Sequence, residues 1–322
     1  MHRPQWDRLA ELSRKRRLSG AEADELLHLY QSASGHLSLI RSVAQEDALS
    51  ASLSAILAGA RTRFTGAKSN MFVDIARFFV FSLPAAFYRL RWLTIIVGAA
   101  FTVIAVLFGV WTASTPGVIA ALGTNEQLKQ LVNHDFVNYY SANPAASFAG
   151  AVWTNNAWIA AQAVVLGITG FFVPYEIFGN AQNTGMVGGV MFAYGRGDVF
   201  FSYILPHGMM ELTAVFVASA AGLRIFWSWV SPGPHTRMES LAGEGRSLVT
   251  VAIGLVFVLF ISGLVEAFVT PSPLPVWAKL AIGAAVLAGY WCYTLVLGRR
   301  AVLAGERGDL GEDDAGATVS GS

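Results

Sequence analysis

One histidine and two glutamates stand where ionisable groups are costly. His207 and Glu211 lie inside the apolar stretch 198–229 (DVFFSYILPHGMMELTAVFVASAAGLRIFWSW), and Glu266 lies inside another, at about residues 248–269. A charge in hydrocarbon costs a few kcal/mol or more, so it marks a pairing or a function. At a spacing of four, His207 and Glu211 share one face of a helix. Pro206 has no N–H and biases Leu205 away from helical angles. The stretch is therefore either one helix kinked at Pro206 or a short aromatic segment leading into a helix that starts there. In the second case the helix dipole would favour the Glu211 carboxylate. Gly208 is expected to let another backbone come close.

These residue types allow three kinds of chemistry. They could hydrogen-bond across helices and fix their register, at roughly 0.6–2 kcal/mol per bond. They could line a polar cavity that binds or passes a small solute or a proton. Or His207, Glu211 and Glu266 could hold a metal, or one glutamate could act as a base. H-x-x-x-E alone is a weak signal. The chain has no H-E-x-x-H, no G-x-S-x-G and no P-loop. The expectation is no catalytic residue, no metal and no cofactor.

The elements that carry these residues read as membrane helices. The chain has 322 residues, 54% hydrophobic and 13% charged, about half the charged fraction of a soluble domain. Its mean hydropathy is +0.50. A net charge of +1 offers no case for nucleic acid. The single cysteine, Cys292, excludes an intramolecular disulfide and a cysteine metal site. Six spans are expected, at about 92–111, 148–171, 173–193, 200–222, 248–269 and 276–297, so residues 92–300 form the membrane domain. Gly185, Gly188 and Gly189 in the third should allow close helix contact. Thr270 to Pro275 (TPSPLP) is a stiff turn. The loop 112–147 should contain a short helix with Leu128, Leu131, Val132 and Phe136 on one face. The tail, 301–322, reads as disordered.

Residues 1–66 read as a soluble cytoplasmic segment of three helices. Trp6, Leu9, Leu12 and Leu18 mark the first. Ser19 and Glu22 form a capping box that opens the second, with Leu26, Leu27, Tyr30, Leu37 and Ile40 as its apolar stripe. The third covers about 46–64. Residues 67–91, charged, aromatic and broken by Pro84, suit an amphipathic helix in the membrane interface. MHRPQWDRLAELSRKRR carries basic residues with no apolar core behind them, so the first internal span should drive insertion.

Of 22 Lys and Arg, 13 precede Trp92, and Arg224, Arg237, Arg246, Arg299, Arg300 and Arg307 add to that side. Only Lys129, Arg196 and Lys279 fall on the other. The positive-inside rule then puts both termini in the cytoplasm of a multi-pass protein of the inner membrane. With that topology His207, Glu211 and Glu266 occupy the outer half of the bundle with Asn155 and Asn156. Asn180 and Asn183 come nearer mid-depth, completing one polar layer.

Three segments resemble the stage II sporulation protein M family of integral membrane proteins, in its actinobacterial form: AASFAGAVWTNNAWIA (145–160), LPHGMMELTAVFVASAAGLR (205–224) and GLVEAFVTPSPLP (263–275). Pro-His-Gly-x-x-Glu-Leu is the most specific run. The resemblance implies an all-α, non-enzymatic membrane component. In spore formers the family member scaffolds the cell-wall hydrolases called sporulation proteins D and P; elsewhere relatives accompany an AAA-type ATPase and a von Willebrand-type protein. His207, Glu211 and Glu266 transfer as motif positions only. The functional expectation is a scaffold for envelope proteins, with a transporter or channel-like module as the alternative and an intramembrane metal-dependent hydrolase as the outsider. Partners would be the lipid bilayer, envelope proteins, a cytoplasmic protein at the N-terminal helices and another copy of the chain.

Overall fold

A computed structural model describes residues 2–15, 18–43, 48–64, 71–140 and 145–309, and every regular element in them is helical. Expectations for residues 310–322 of the tail and for 65–70 lie outside the described residues; the start of the expected disordered tail is ordered, with 301–303 helical and Glu306 and Asp309 in ion pairs. The chain divides between Ala76 and Arg77 into two compact units.

The first unit holds α1 (Arg3–Arg14), α2 (Gly20–Val43) and α3 (Ala48–Phe64). Their stripes close one core: Trp6, Leu9 and Leu12 from α1, Leu26 and Ala33 from α2, and Leu53, Leu57 and Ala60 from α3. Leu27 turns outward instead, because its neighbour Leu26 already occupies the core side. The capping box is present: Ser19 N–H donates to Glu22 (2.9 Å) and Glu22 N–H to Ser19 Oγ (3.3 Å). A two-pronged Arg8–Glu25 bond (3.0 and 2.9 Å) ties α1 to α2.

The second unit is a bundle. The division falls within a continuous run of helix, from α4 (Met71–Arg77), nearly all of it in the first unit, through a π-turn, Phe78–Ser82, into α5 (Leu83–Ser114). The expected separate elbow helix over 67–91 is thus continuous with the first span over its described part. The reason lies in hydrogen bonding. Leu83 N–H already reaches back five residues to Phe78 O, so Pro84 enters at the start of α5. There its missing N–H does little harm. The Phe79 carbonyl that Pro84 leaves open accepts from the Tyr293 hydroxyl.

Beyond α5 come α6 (Pro116–Leu122), α7 (Asn125–Gln130) and, after a π-turn, α8 (Phe136–Asn138). The bundle then continues with α9 (Ala145–Leu166), α10 (Phe172–Ala193), α11 (Gly197–Val230), α12 (Arg237–Leu264), α13 (Val276–Cys292) and α14 (Gly298–Leu303). A π-turn, Val265–Val269, extends α12, and another, Tyr293–Leu297, joins α13 to α14.

The hub is α11, which packs against α5, α9, α10, α12 and α13. A single helix passes through Pro206, so the reading with a helix starting there is not the one adopted. Small residues seat its neighbours. A Cβ on Gly222 would lie 2.2 Å from Ala163 O in α9, and one on Gly283 in α13 would lie 2.2 Å from Pro206 O. The expected glycine seam of α10 exists: Gly185 and Gly189 rest on Ala105 O and Gly109 O of α5, while Gly188 faces the Phe200 ring.

Among the described residues, four helices are long and apolar enough to cross a membrane: Phe72–Ser114, Gly197–Val230, Arg237–Val269 and Val276–Leu303. Their outward faces carry Trp92, Ile96, Leu107, Phe260 and Trp277, each more than half exposed, which water would not tolerate as a continuous surface. The expected second and third spans form helices α9 and α10, each of 22 residues, but these are not among the four. Asn155, Asn156, Asn180, Gln182 and Asn183 dilute their hydropathy.

Candidate functional site: a buried His-Glu-Glu cluster

One turn of α11, the π-turn after α12 and the first turn of α13 meet at one end of the bundle. On α11, His207 and Glu211 project from the same face. Opposite them, the π-turn places Glu266. One ligand atom from each of the three lies within 4.8 Å of the other two. His207 is 5% exposed and Glu266 4%, while Glu211 is half-buried. His207 Nε2 stands 3.8 Å from Glu266 Oε1, an ion-pair separation too long for a hydrogen bond.

The π-turn explains why two groups from α12 reach one imidazole. Thr270 N–H bonds back to Val265 O over five residues (3.1 Å), which widens the turn. Thr270 Oγ1 then sits 3.2 Å from His207 Nδ1. One turn earlier, Ser262 Oγ donates to His207 O (3.1 Å). The carbonyl of Thr270, orphaned at the helix end, accepts from Lys279 Nζ (2.7 Å). That ammonium lies 5.6 Å from the centre of the Tyr203 ring.

Aromatic side chains cover the cluster. The Tyr140 ring, in the segment between α8 and α9, is 5.8 Å from the His207 ring and 5.3 Å from that of Tyr203. Phe136 packs on both tyrosines. Burial first, then the negative charge of Glu266, pushes the Tyr140 phenol far above its ordinary range, so it stays a neutral hydroxyl.

The asparagines divide. Asn156 is buried, with its side chain close to the Glu211 carboxylate. Asn155 is exposed and donates to Asn156 Oδ1 (3.4 Å). Asn180 donates to Glu176 O within α10 (2.9 Å), and Asn183 is exposed. The two α10 residues are thus bound or turned elsewhere, not joined to the cluster. Gly208 is buried, but the nearest atom to a Cβ placed there is Ile204 Cγ2 of its own helix, at 3.2 Å. The close backbone approach expected at Gly208 occurs at Pro206, where Gly283 packs. Residue types alone did not single out Lys279, Thr270, Ser262, Tyr140 or Tyr203. Lys279 carried a usable signal, an amine three residues inside an apolar block; Thr270, four after Glu266, carried a weaker one.

At the other end of the bundle, Glu244 pairs with Arg89 (2.9 Å) and Arg224 (3.1 Å). Arg246 pairs with Asp309 (3.6 Å) and Arg77 with Glu306 (3.1 Å), so several arginines gather at this end.

Apolar outer faces around a buried polar cluster define an all-α membrane protein. A family model for stage II sporulation protein M matches residues 98–271, more than half of the chain, and the chain belongs to that family. A model for a domain of unknown function (DUF8413) matches residues 1–66, which include α1 to α3. No curated protein and no solved structure matches the chain. The family match contains His207, Glu211, Glu266 and Thr270 and ends before Lys279.

Proposed function

We propose that the chain is a non-enzymatic scaffold in the cytoplasmic membrane on which envelope proteins assemble. The observation that carries the reading is the first unit. Its three helices close a core of their own, so a self-contained module is attached to a membrane helix. A module that completes its own core is suited to docking another protein. The segment 116–140, anchored by Phe136 and Tyr140, offers a second surface beside the cluster.

In this proposal the chain crosses six times. At about 1.5 Å per residue, the 22 residues of α9 and of α10 reach about 33 Å, enough for a core of about 30 Å. Both pack against other helices of the bundle, and Asn156 is buried there. The collected arginines would face the cytoplasm, and with them both termini.

Photo-crosslinking from exposed positions of α1–α3 and of segment 116–140, in native membranes, tests the scaffold. Specific adducts with envelope proteins are expected from both regions. Adducts no different from those of an unrelated membrane protein would end the proposal. The transport reading gains little: the cavity of about 750 Å³ that Gly208 lines is walled by apolar groups such as Phe101, Val106 and Phe201 and suits hydrocarbon, not a hydrated ion.

A further inference from the structure

We propose that His207, Glu211 and Glu266 form a binding site for a divalent transition-metal ion of the zinc class, with one coordination position left for water. This departs from the metal-free expectation, and geometry carries it where spacing alone could not. Ligands at about 2.0–2.2 Å from a tetrahedral ion are roughly 3.4 Å apart. His207 Nε2 and Glu266 Oε1 are 3.8 Å apart, and the whole set fits within 4.8 Å. Side-chain rotation of the two glutamates, on the order of 1 Å at the oxygens, closes the site.

The surroundings are those of a ligand set. A metal-binding imidazole usually engages its other nitrogen with a second group, which fixes tautomer and ring orientation. Here Nδ1 is engaged by Thr270 Oγ1, which leaves Nε2 directed at the carboxylates. The independent observation is Glu266 Oε2. It is buried with no hydrogen-bond partner, on a residue 4% exposed. A lone carboxylate oxygen in a closed site calls for a cation or a proton. Lys279 does not supply it, because its ammonium goes to Thr270 O. An imidazole with only two carboxylates is a poor set for Ca²⁺ or Mg²⁺, which want more oxygens, and a fitting one for Zn²⁺ or Co²⁺.

The test uses the full-length, tag-free protein in detergent, stripped with chelator and titrated with Zn²⁺ and Co²⁺. Bound metal is measured by mass spectrometry and the Co²⁺ geometry by its visible spectrum. The expected result is one ion per chain with a low-symmetry, four-coordinate Co²⁺ spectrum. Glu266→Gln should lose the ion, and Thr270→Val, which keeps all three ligands, should bind about 10- to 100-fold more weakly. Should Glu266→Gln fail to fold, Glu211→Gln and the wild-type titration decide. Folded wild-type protein that takes up no Zn²⁺ or Co²⁺, or variants that bind as tightly as wild type, would overturn the site.

Discussion

Replacing Gly283 by alanine puts a methyl group 2.2 Å from the carbonyl oxygen of Pro206. Carbon and oxygen need more than 3 Å, so α13 must move off α11 by about 1 Å or the helix must twist. Overpacking of this kind costs about 1–3 kcal/mol. Gly289, on the same helix, is the matched control, since nothing lies within 4 Å of a Cβ there. Both substitutions gain about 1 kcal/mol of helix propensity, so that term cancels between them. The two variants should differ by about 1–3 kcal/mol, a 5- to 150-fold difference in the unfolding equilibrium. Reversible unfolding in mixed micelles measures it. Because Lys279 stands one turn before Gly283 on α13, the shift should also loosen the Lys279–Thr270 bond and expose the π-turn to hydrogen exchange. Equal stability of Gly283→Ala and Gly289→Ala would refute the claim that the α11–α13 seam is set by a backbone contact.

Other expectations follow from single bonds. Tyr293→Phe strands the Phe79 carbonyl that Pro84 leaves without a helical donor, costing about 1–3 kcal/mol in mixed-micelle unfolding, and Pro84→Ala should reduce that cost in a double-mutant cycle. Asn156→Ala removes a buried amide beside the Glu211 carboxylate and should cost about 1–3 kcal/mol in the same assay, whereas exposed Asn183→Ala should stay within about 0.5 kcal/mol. In the first unit, Glu22 is held at about 2, first by Lys15 and then by the Ser19 N–H. A carboxyl with a depressed folded pKa contributes stability above its unfolded value near 4.5 and loses it as pH falls toward 2. Hydrogen exchange at the start of α2 should therefore lose protection over that interval, and Glu22→Gln should remove the dependence.

Much of this fold is visible in residue patterns because hydrophobic period and helix caps are local. Trp6, Leu9 and Leu12 mark a core face whatever surrounds them, and Ser19 with Glu22 caps α2 from within one turn. The prominence of α11 follows from Pro206, His207 and Glu211 being costly in an apolar run. What stayed hidden depends on register between distant segments. Nothing near Glu266 announces a π-turn, yet that extra residue brings Thr270 to His207. Asn180 and Asn183, nearer mid-depth, complete the polar layer on paper, but helical phase decides direction, and Asn180 bonds within its own helix. Pro84 reads as a break until the preceding π-turn is known. The polar residues of α9 and α10 keep their hydropathy below that of the four long apolar helices.

Four of the cross-helix bonds share one form, and it bears on how the bundle keeps its register. Tyr293 donates to Phe79 O, Lys279 to Thr270 O, Ser262 to His207 O and Trp153 to Val256 O (3.2 Å). In each case a side chain of one segment reaches a backbone oxygen of another. Two of those oxygens, at Phe79 and Thr270, lack the usual helical donor because of a proline or a helix end. Lipid offers no water to satisfy them, so sliding one helix by a residue would strand them at a cost of several kcal/mol. Attraction among apolar faces cannot give that discrimination, since hydrocarbon packs equally well in neighbouring registers. The irregular turns therefore do two things at once: they free carbonyls that lock helices together, and at Val265–Val269 they turn Glu266 and Thr270 onto His207. A mutation that regularises this π-turn should unlock the helices and disperse the cluster together.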